Sequence, residues 1–75
     1  MTKTSTQQIG ERIADELYRR RVAKRAFAPR VGMSRTGLYR RLTGETEFTV
    51  SQIEAIAREL GVTLDWLLGR DEVAA

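Results

Sequence analysis

Seventy-five residues suffice for one compact domain and not for two, since domains run from about 50 to 250 residues, and a unit this small buries only about 60% of its unfolded surface. Cysteine and histidine are both absent, which excludes disulfides, thiolate chemistry, the usual zinc sites and imidazole acid/base catalysis. With 41% hydrophobic and 31% charged residues and a formal charge of +3, the chain has the composition of a folded protein with a mild bias towards anionic partners, and it argues against an enzyme.

In chain order, Thr4, Ser5 and Thr6 offer N-caps ahead of Gln7 and Gln8, and Ile9, Ile13 and Leu17 repeat at helical spacing. This predicts helix 1 over residues 6–20, with a narrow apolar stripe. A second helix is expected near residues 24–31, with Phe27 and Val31 inward. Pro29 lacks the N–H that would bond the carbonyl of Arg25 and disfavours the α region at Ala28, so this helix either starts late or bends there. Gly32 suits the turn that follows, and Ser34 is an N-cap for helix 3, over residues 35–43, which Gly44 ends.

With about 100° per residue, Leu42 falls about 40° from Leu38 and Arg41 about 60° to the other side. Thr36, Tyr39, Arg40 and Thr43 span about 100° to 200°, with Arg35 on their edge. Helix 3 therefore buries leucines and presents a basic, hydroxyl-bearing and aromatic face, and the stem of Arg41 is expected to lie over Leu38 and Leu42. Thr49 and Gln52 form a capping box inside a staple of Phe48 and Ile53, opening helix 4. Val50, Ile53, Ile56, Ala57 and Leu60 share one side of it, and Gly61 caps the end. Thr63 opens a short helix 5 with Leu64, Leu67 and Leu68 inward and Trp66 opposite, closed by Gly69. The expectation is an all-α fold of five helices with a core over residues 6–69 and a frayed tail at 70–75.

Charge is distributed unevenly. From Met1 to Glu16 there are two basic and three acidic residues; from Leu17 to Gly44 there are nine basic and no acidic ones; from Glu45 to Ala75 two basic residues face seven acidic ones. Solvated helix faces usually mix signs, so the unbroken basic segment reads as a contact surface for a polyanion, with an acidic protein or an anionic membrane surface as the alternatives. No uncharged run is long enough to span a membrane, and Met1–Gly10 lacks the apolar region of a secretory signal, so a cytoplasmic location is expected. No cofactor, metal or small-molecule pattern is present. Asp15, Glu16, Glu45 and Glu47 read as ordinary surface charge, and Arg19, Arg20 and Arg21 as a solvated helix end that also favours the helix 1 C-terminus.

Lys24 to Gly44 has the layout of a helix-turn-helix. Ala28 is small where two helices cross, Gly32 sits at the turn, and Phe27, Val31, Met33 and Leu38 supply the apolar contacts that fix the pair. The stretch Val22 to Gly69, above all MSRTGLYRRLTGETEFTVSQIEAIARELGVTLDWLLG, resembles the phage repressor and Cro-like, or XRE-type, helix-turn-helix family with its compact five-helix, lambda-repressor-like domain. The resemblance covers residues 9–69 or so. Arg21, Val22, Ala23 and Lys24 depart from it by lacking the usual cap into helix 2, and Pro29 is unusual there.

The resemblance implies a sequence-specific regulator of transcription, a repressor of phage or prophage type, that binds double-stranded DNA with helix 3 in the major groove. It implies base reading by Arg35, Thr36, Tyr39 and Arg40, and backbone contacts from Lys24, Arg25, Ser34 and Thr43. An Arg at the start of a groove-bound helix suits bidentate bonding to guanine O6 and N7, which makes Arg35 the first choice for that role. A homodimer on a palindromic operator is expected, with Trp66 as a candidate subunit contact. A stand-alone Cro-like protein or an excised N-terminal domain is expected, since 75 residues leave no room for a separate dimerisation or self-cleavage domain beside the helical one. The competing reading is a protein-interaction module such as an antitoxin, whose acidic C-terminal half holds a basic partner.

Overall fold

The computed structural model describes residues 5–70. Five helices follow one another, α1 (Ser5–Arg20), α2 (Lys24–Arg30), α3 (Arg35–Leu42), α4 (Val50–Leu60) and α5 (Leu64–Leu67), and no strand occurs among the described residues. The all-α expectation therefore holds. The cap candidate Thr4 and the tail Asp71–Ala75 lie outside the described residues.

Helix starts follow local chemistry. The Oγ of Ser34 accepts from the Gly37 amide at 3.0 Å, and that of Thr63 from the Trp66 amide at 3.0 Å. At α4 the full capping box forms, with Gln52 N–H donating to Thr49 Oγ1 at 3.1 Å and Thr49 N–H donating to Gln52 Oε1 at 2.9 Å. Of α2 to α5, only α2 begins on a residue without a capping side chain, Ala23.

The helix ends share one solution. An amide just past each helix donates to the carbonyl five residues earlier: Val22 to Leu17, Met33 to Ala28, Glu45 to Arg40, Val62 to Ala57 and Arg70 to Asp65, at 2.7–3.0 Å. This is the Schellman closure, and it requires a left-handed residue between. Four of the five closures use glycine there, at positions 32, 44, 61 and 69, whereas α1 uses Arg21 at φ 59°. A side chain in that region costs roughly 1–2 kcal/mol, so Arg21 holds a strained position that the sequence reading treated only as a charged helix end.

Pro29 fits through the same device. Helix α2 starts at Lys24 without delay, and Pro29 lies in its final turn. The Val31 and Gly32 amides bond back to Ala28 and Pro29, and Met33 closes onto Ala28, so the bond that Pro29 cannot donate is lost where the helix is already ending.

The core draws on every helix: Ile9, Ile13 and Leu17 from α1, Phe27 and Ala28 from α2, Leu38 and Leu42 from α3, Ile56, Ala57 and Leu60 from α4 and Leu67 from α5, with Val31 and Met33 from the turn. No polar or charged residue among those described is buried with them. Helix α3 packs on α1 and α2, while α5 packs on α1 and α4. At the α1–α3 crossing Gly10 is buried, and a Cβ on it would meet the Leu42 backbone carbonyl oxygen at 2.3 Å. The two backbones approach so closely that only glycine fits.

Two positions correct the sequence reading. Val50 is 71% and Leu64 41% exposed, although both were expected on apolar sides. Each is the first residue of its helix. The side chain of a first-turn residue leans towards the N-terminus, beyond the packed turns, which exposes it even on an apolar arc.

Two substitutions separate strain from packing. Arg21→Gly relieves the left-handed side chain and is expected to stabilise the protein by about 0.5–1 kcal/mol, a rise in Tm of a few degrees. Gly10→Ala drives a methyl group into the Leu42 carbonyl and is expected to destabilise by about 1–3 kcal/mol. Thermal melting followed by circular dichroism checks both signs.

Candidate nucleic-acid interface

Helix α3 is held from one side by its leucines. Leu38 is fully buried and Leu42 nearly so, whereas Arg35, Thr36, Tyr39 and Arg40 are exposed, Tyr39 by 47%. The four residues expected to read bases are thus brought together on the outer face. With Thr43 and Glu45 they line a shallow hollow of about 280 Å³.

The residues expected at the backbone are placed around this face. Ser34 accepts at its oxygen from the Gly37 amide and keeps its hydroxyl proton for an anion. Arg25 is exposed. The Lys24 ammonium lies 5.8 Å from the centre of the Tyr39 ring, a cation–π distance that ties the start of α2 to the outer face of α3. Thr43 differs: its Oγ1 donates to the carbonyls of Tyr39 and Arg40 at 3.2 and 3.1 Å. Its one proton is engaged within the helix end, so in this rotamer only its methyl group and lone pairs face a ligand.

Pairing prunes the basic segment. Glu16, one residue before the segment begins, bonds Arg19 at 3.1 Å and Arg20 at 2.7 Å, and Arg30 approaches Glu59 at 3.9 Å. The run is therefore not free of acidic partners, because α1 brings Glu16 alongside at i,i+3 and i,i+4. Arg41 behaves as its angle predicts. It is half-buried and donates from Nη1 to the Gly37 carbonyl at 3.0 Å, and its buried Nε has no partner. Of the nine cations, Arg21, Lys24, Arg25, Arg35, Arg40 and the half-buried Arg41 make no ion pair among the described residues, and all of these but Arg21 belong to α2 and α3.

Trp66 lies elsewhere. It is half-buried against the core, with the Arg12 guanidinium 4.8 Å from its ring centre and Arg12 Nε donating to its carbonyl. A larger groove of about 630 Å³ runs here between α1 and α5, lined by charges of both signs including Glu11, Arg12, Asp15 and Arg70. It shares no residue with the α3 hollow. Leu64, and not Trp66, is the large apolar residue that α5 exposes most.

The sequence reading missed the Arg12–Trp66 stack, which joins residues 54 apart, and the free Glu45 in the α3 hollow. Only the charge and position of Glu45 directly after helix 3 could have signalled the latter. Among the described residues no helix is long and apolar enough to cross a membrane, and no group of acidic residues has the arrangement of a metal site.

No curated protein and no solved structure matches the chain significantly. A family model described as helix-turn-helix matches residues 18–67, two thirds of the chain and the whole of α2 to α5. Its limits enclose the paired helices, the left-handed turn between them and the exposed basic face of α3. The chain belongs to the XRE-type helix-turn-helix family of DNA-binding regulators.

Proposed function

We propose that this protein is a sequence-specific repressor of phage or prophage type that inserts α3 into the major groove of double-stranded DNA. The observation that carries this reading is the two-sided character of α3. Its leucines are locked into the core while Arg35, Thr36, Tyr39 and Arg40 stand exposed beside unpaired Lys24 and Arg25.

Each group has a chemical role in that pose. Arg35, at the first turn of α3, offers the planar fork that matches guanine O6 and N7. Arg40 bonds a base or a phosphate. The hydroxyls of Thr36 and Tyr39 donate to bases or backbone, and their carbon atoms meet thymine methyl groups. Lys24, Arg25 and Ser34 hold phosphates and set the register of the helix in the groove. The Thr43 methyl group approaches the backbone at the far end of α3.

Residues 1–75 act as one DNA-binding domain, as a homodimer on a palindromic operator in the cytoplasm, without cofactor or catalysis. Two-fold symmetric subunits read half-sites about one DNA turn apart. Helix α5 is the proposed contact, with Trp66 as its anchor and exposed Leu64 beside it. A second reading, an antitoxin-like module that holds a basic partner, is favoured by the seven acidic residues from Glu45 onward together with exposed Val50 and Leu64.

Selection of bound duplexes from a random pool decides between them. The repressor reading expects a palindromic site whose affinity falls about linearly in log salt, and failure to bind any duplex overturns it in favour of the module. Arg35→Ala is expected to lose discrimination at one base position by roughly 5- to 100-fold, whereas Lys24→Ala weakens all sequences about equally and flattens the salt dependence. Paired selections on the two variants check this. For subunit contact, Trp66→Ala is expected to shift micromolar protein from dimer towards monomer in sedimentation, and an unchanged distribution removes Trp66 from the interface.

A further inference from the structure

One carboxylate stands where only cations and hydroxyls are expected. Glu45 lines the same hollow as Arg35, Thr36, Tyr39, Arg40 and Thr43. It is exposed and makes no ion pair among the described residues, although Arg35 and Arg40 share its hollow. Its backbone is fixed to α3 because its amide donates to the Arg40 carbonyl at 2.9 Å across the Gly44 turn. The backbone of Glu45 is therefore anchored beside the outer face of α3, and its carboxylate is an unengaged acceptor in the hollow.

A carboxylate accepts hydrogen bonds and donates none. Against the phosphates it is repelled, and against guanine O6 and N7 or thymine O4 it meets other acceptors. The major-groove edge offers donors only at cytosine N4 and adenine N6, and adenine places its N7 acceptor beside the amine. A carboxylate carried into the groove thus favours cytosine and penalises the other three bases. Arg35 begins α3 and Glu45 follows its end, so ten positions separate a fork suited to guanine from an acceptor suited to cytosine. With a rise of about 1.5 Å per helical residue, the two ends reach different base pairs.

We propose that Glu45 is a specificity-determining residue that accepts a hydrogen bond from cytosine N4 in the major groove. The inference rests on the reading of α3 as the groove-bound helix. It gives the free acid a role that a general attraction to polyanions does not, because an unpaired negative charge in the hollow only weakens non-specific binding.

The test uses the full chain, with Glu45→Gln and Glu45→Ala compared with the parent in selections from a random duplex pool, followed by competition titrations at fixed salt. The parent is expected to select cytosine at one position per half-site, distinct from the guanine position lost in Arg35→Ala. In Glu45→Gln that position moves to adenine, since an amide both donates to N7 and accepts from N6. In Glu45→Ala it loses preference, with a discrimination change of roughly 5- to 100-fold. Glu45 is exposed, and thermal melting confirms that both variants fold. Unchanged selected sites, with affinity raised equally for every duplex, overturn the inference and make Glu45 only a repelling charge beside the backbone. A parent that selects no sequence at all overturns the groove-binding reading itself.

Discussion

The contact on which the rest depends is the crossing of α1 and α3, where Gly10 brings one backbone against the carbonyl of Leu42. That approach seats Leu38 and Leu42 in the core formed with Ile9, Ile13 and Leu17. Once two residues one turn apart are fixed, rotation of α3 about its axis is fixed too. Which side chains α3 shows to a partner is therefore decided on its hidden side. A domain of this size is stable by only about 0.05–0.15 kcal/mol per residue, so orientation of the outer face and survival of the fold draw on the same few apolar contacts.

Electrostatics acts on this frame by subtraction. Nine cations in succession suggest a broad positive surface, but Glu16 engages two of them and Glu59 approaches a third, while Arg41 folds back along its own helix. The unpaired charge is concentrated on Lys24, Arg25, Arg35 and Arg40, on the two helices of the motif, with Arg21 just before them. Exposed ion pairs contribute little stability. Their larger consequence is to narrow the surface on which a polyanion is attracted.

Much of the fold was legible in the residues because its determinants are local. The capping box of Thr49 and Gln52, the caps Ser34 and Thr63, and the glycines at 32, 44, 61 and 69 each act within a few residues of themselves, and each helix limit falls within a residue or so of its expected place. The exceptions were also local in cause. Val50 and Leu64 satisfied the periodicity of their helices but stand at the first position, where periodicity does not guarantee a neighbour. Pro29 was compatible with a late start or a bend, and the closure of Met33 onto Ala28 ended the helix around it instead.

The candidate interface divides along the same line. The angular positions of Thr36, Tyr39 and Arg40 relative to Leu38 were determined by the sequence alone, since helical geometry fixes which residues share a face. The sequence also determined the absence of thiol and imidazole chemistry and the sign of each segment. Only the tertiary structure decided that Lys24 sits over Tyr39, that Arg12 stacks on Trp66 across the chain, that Gly10 must be glycine, and which cations remain unpaired. Those facts depend on distances between residues remote in sequence or on rotamers chosen by packing, and neither periodicity nor composition carries that information.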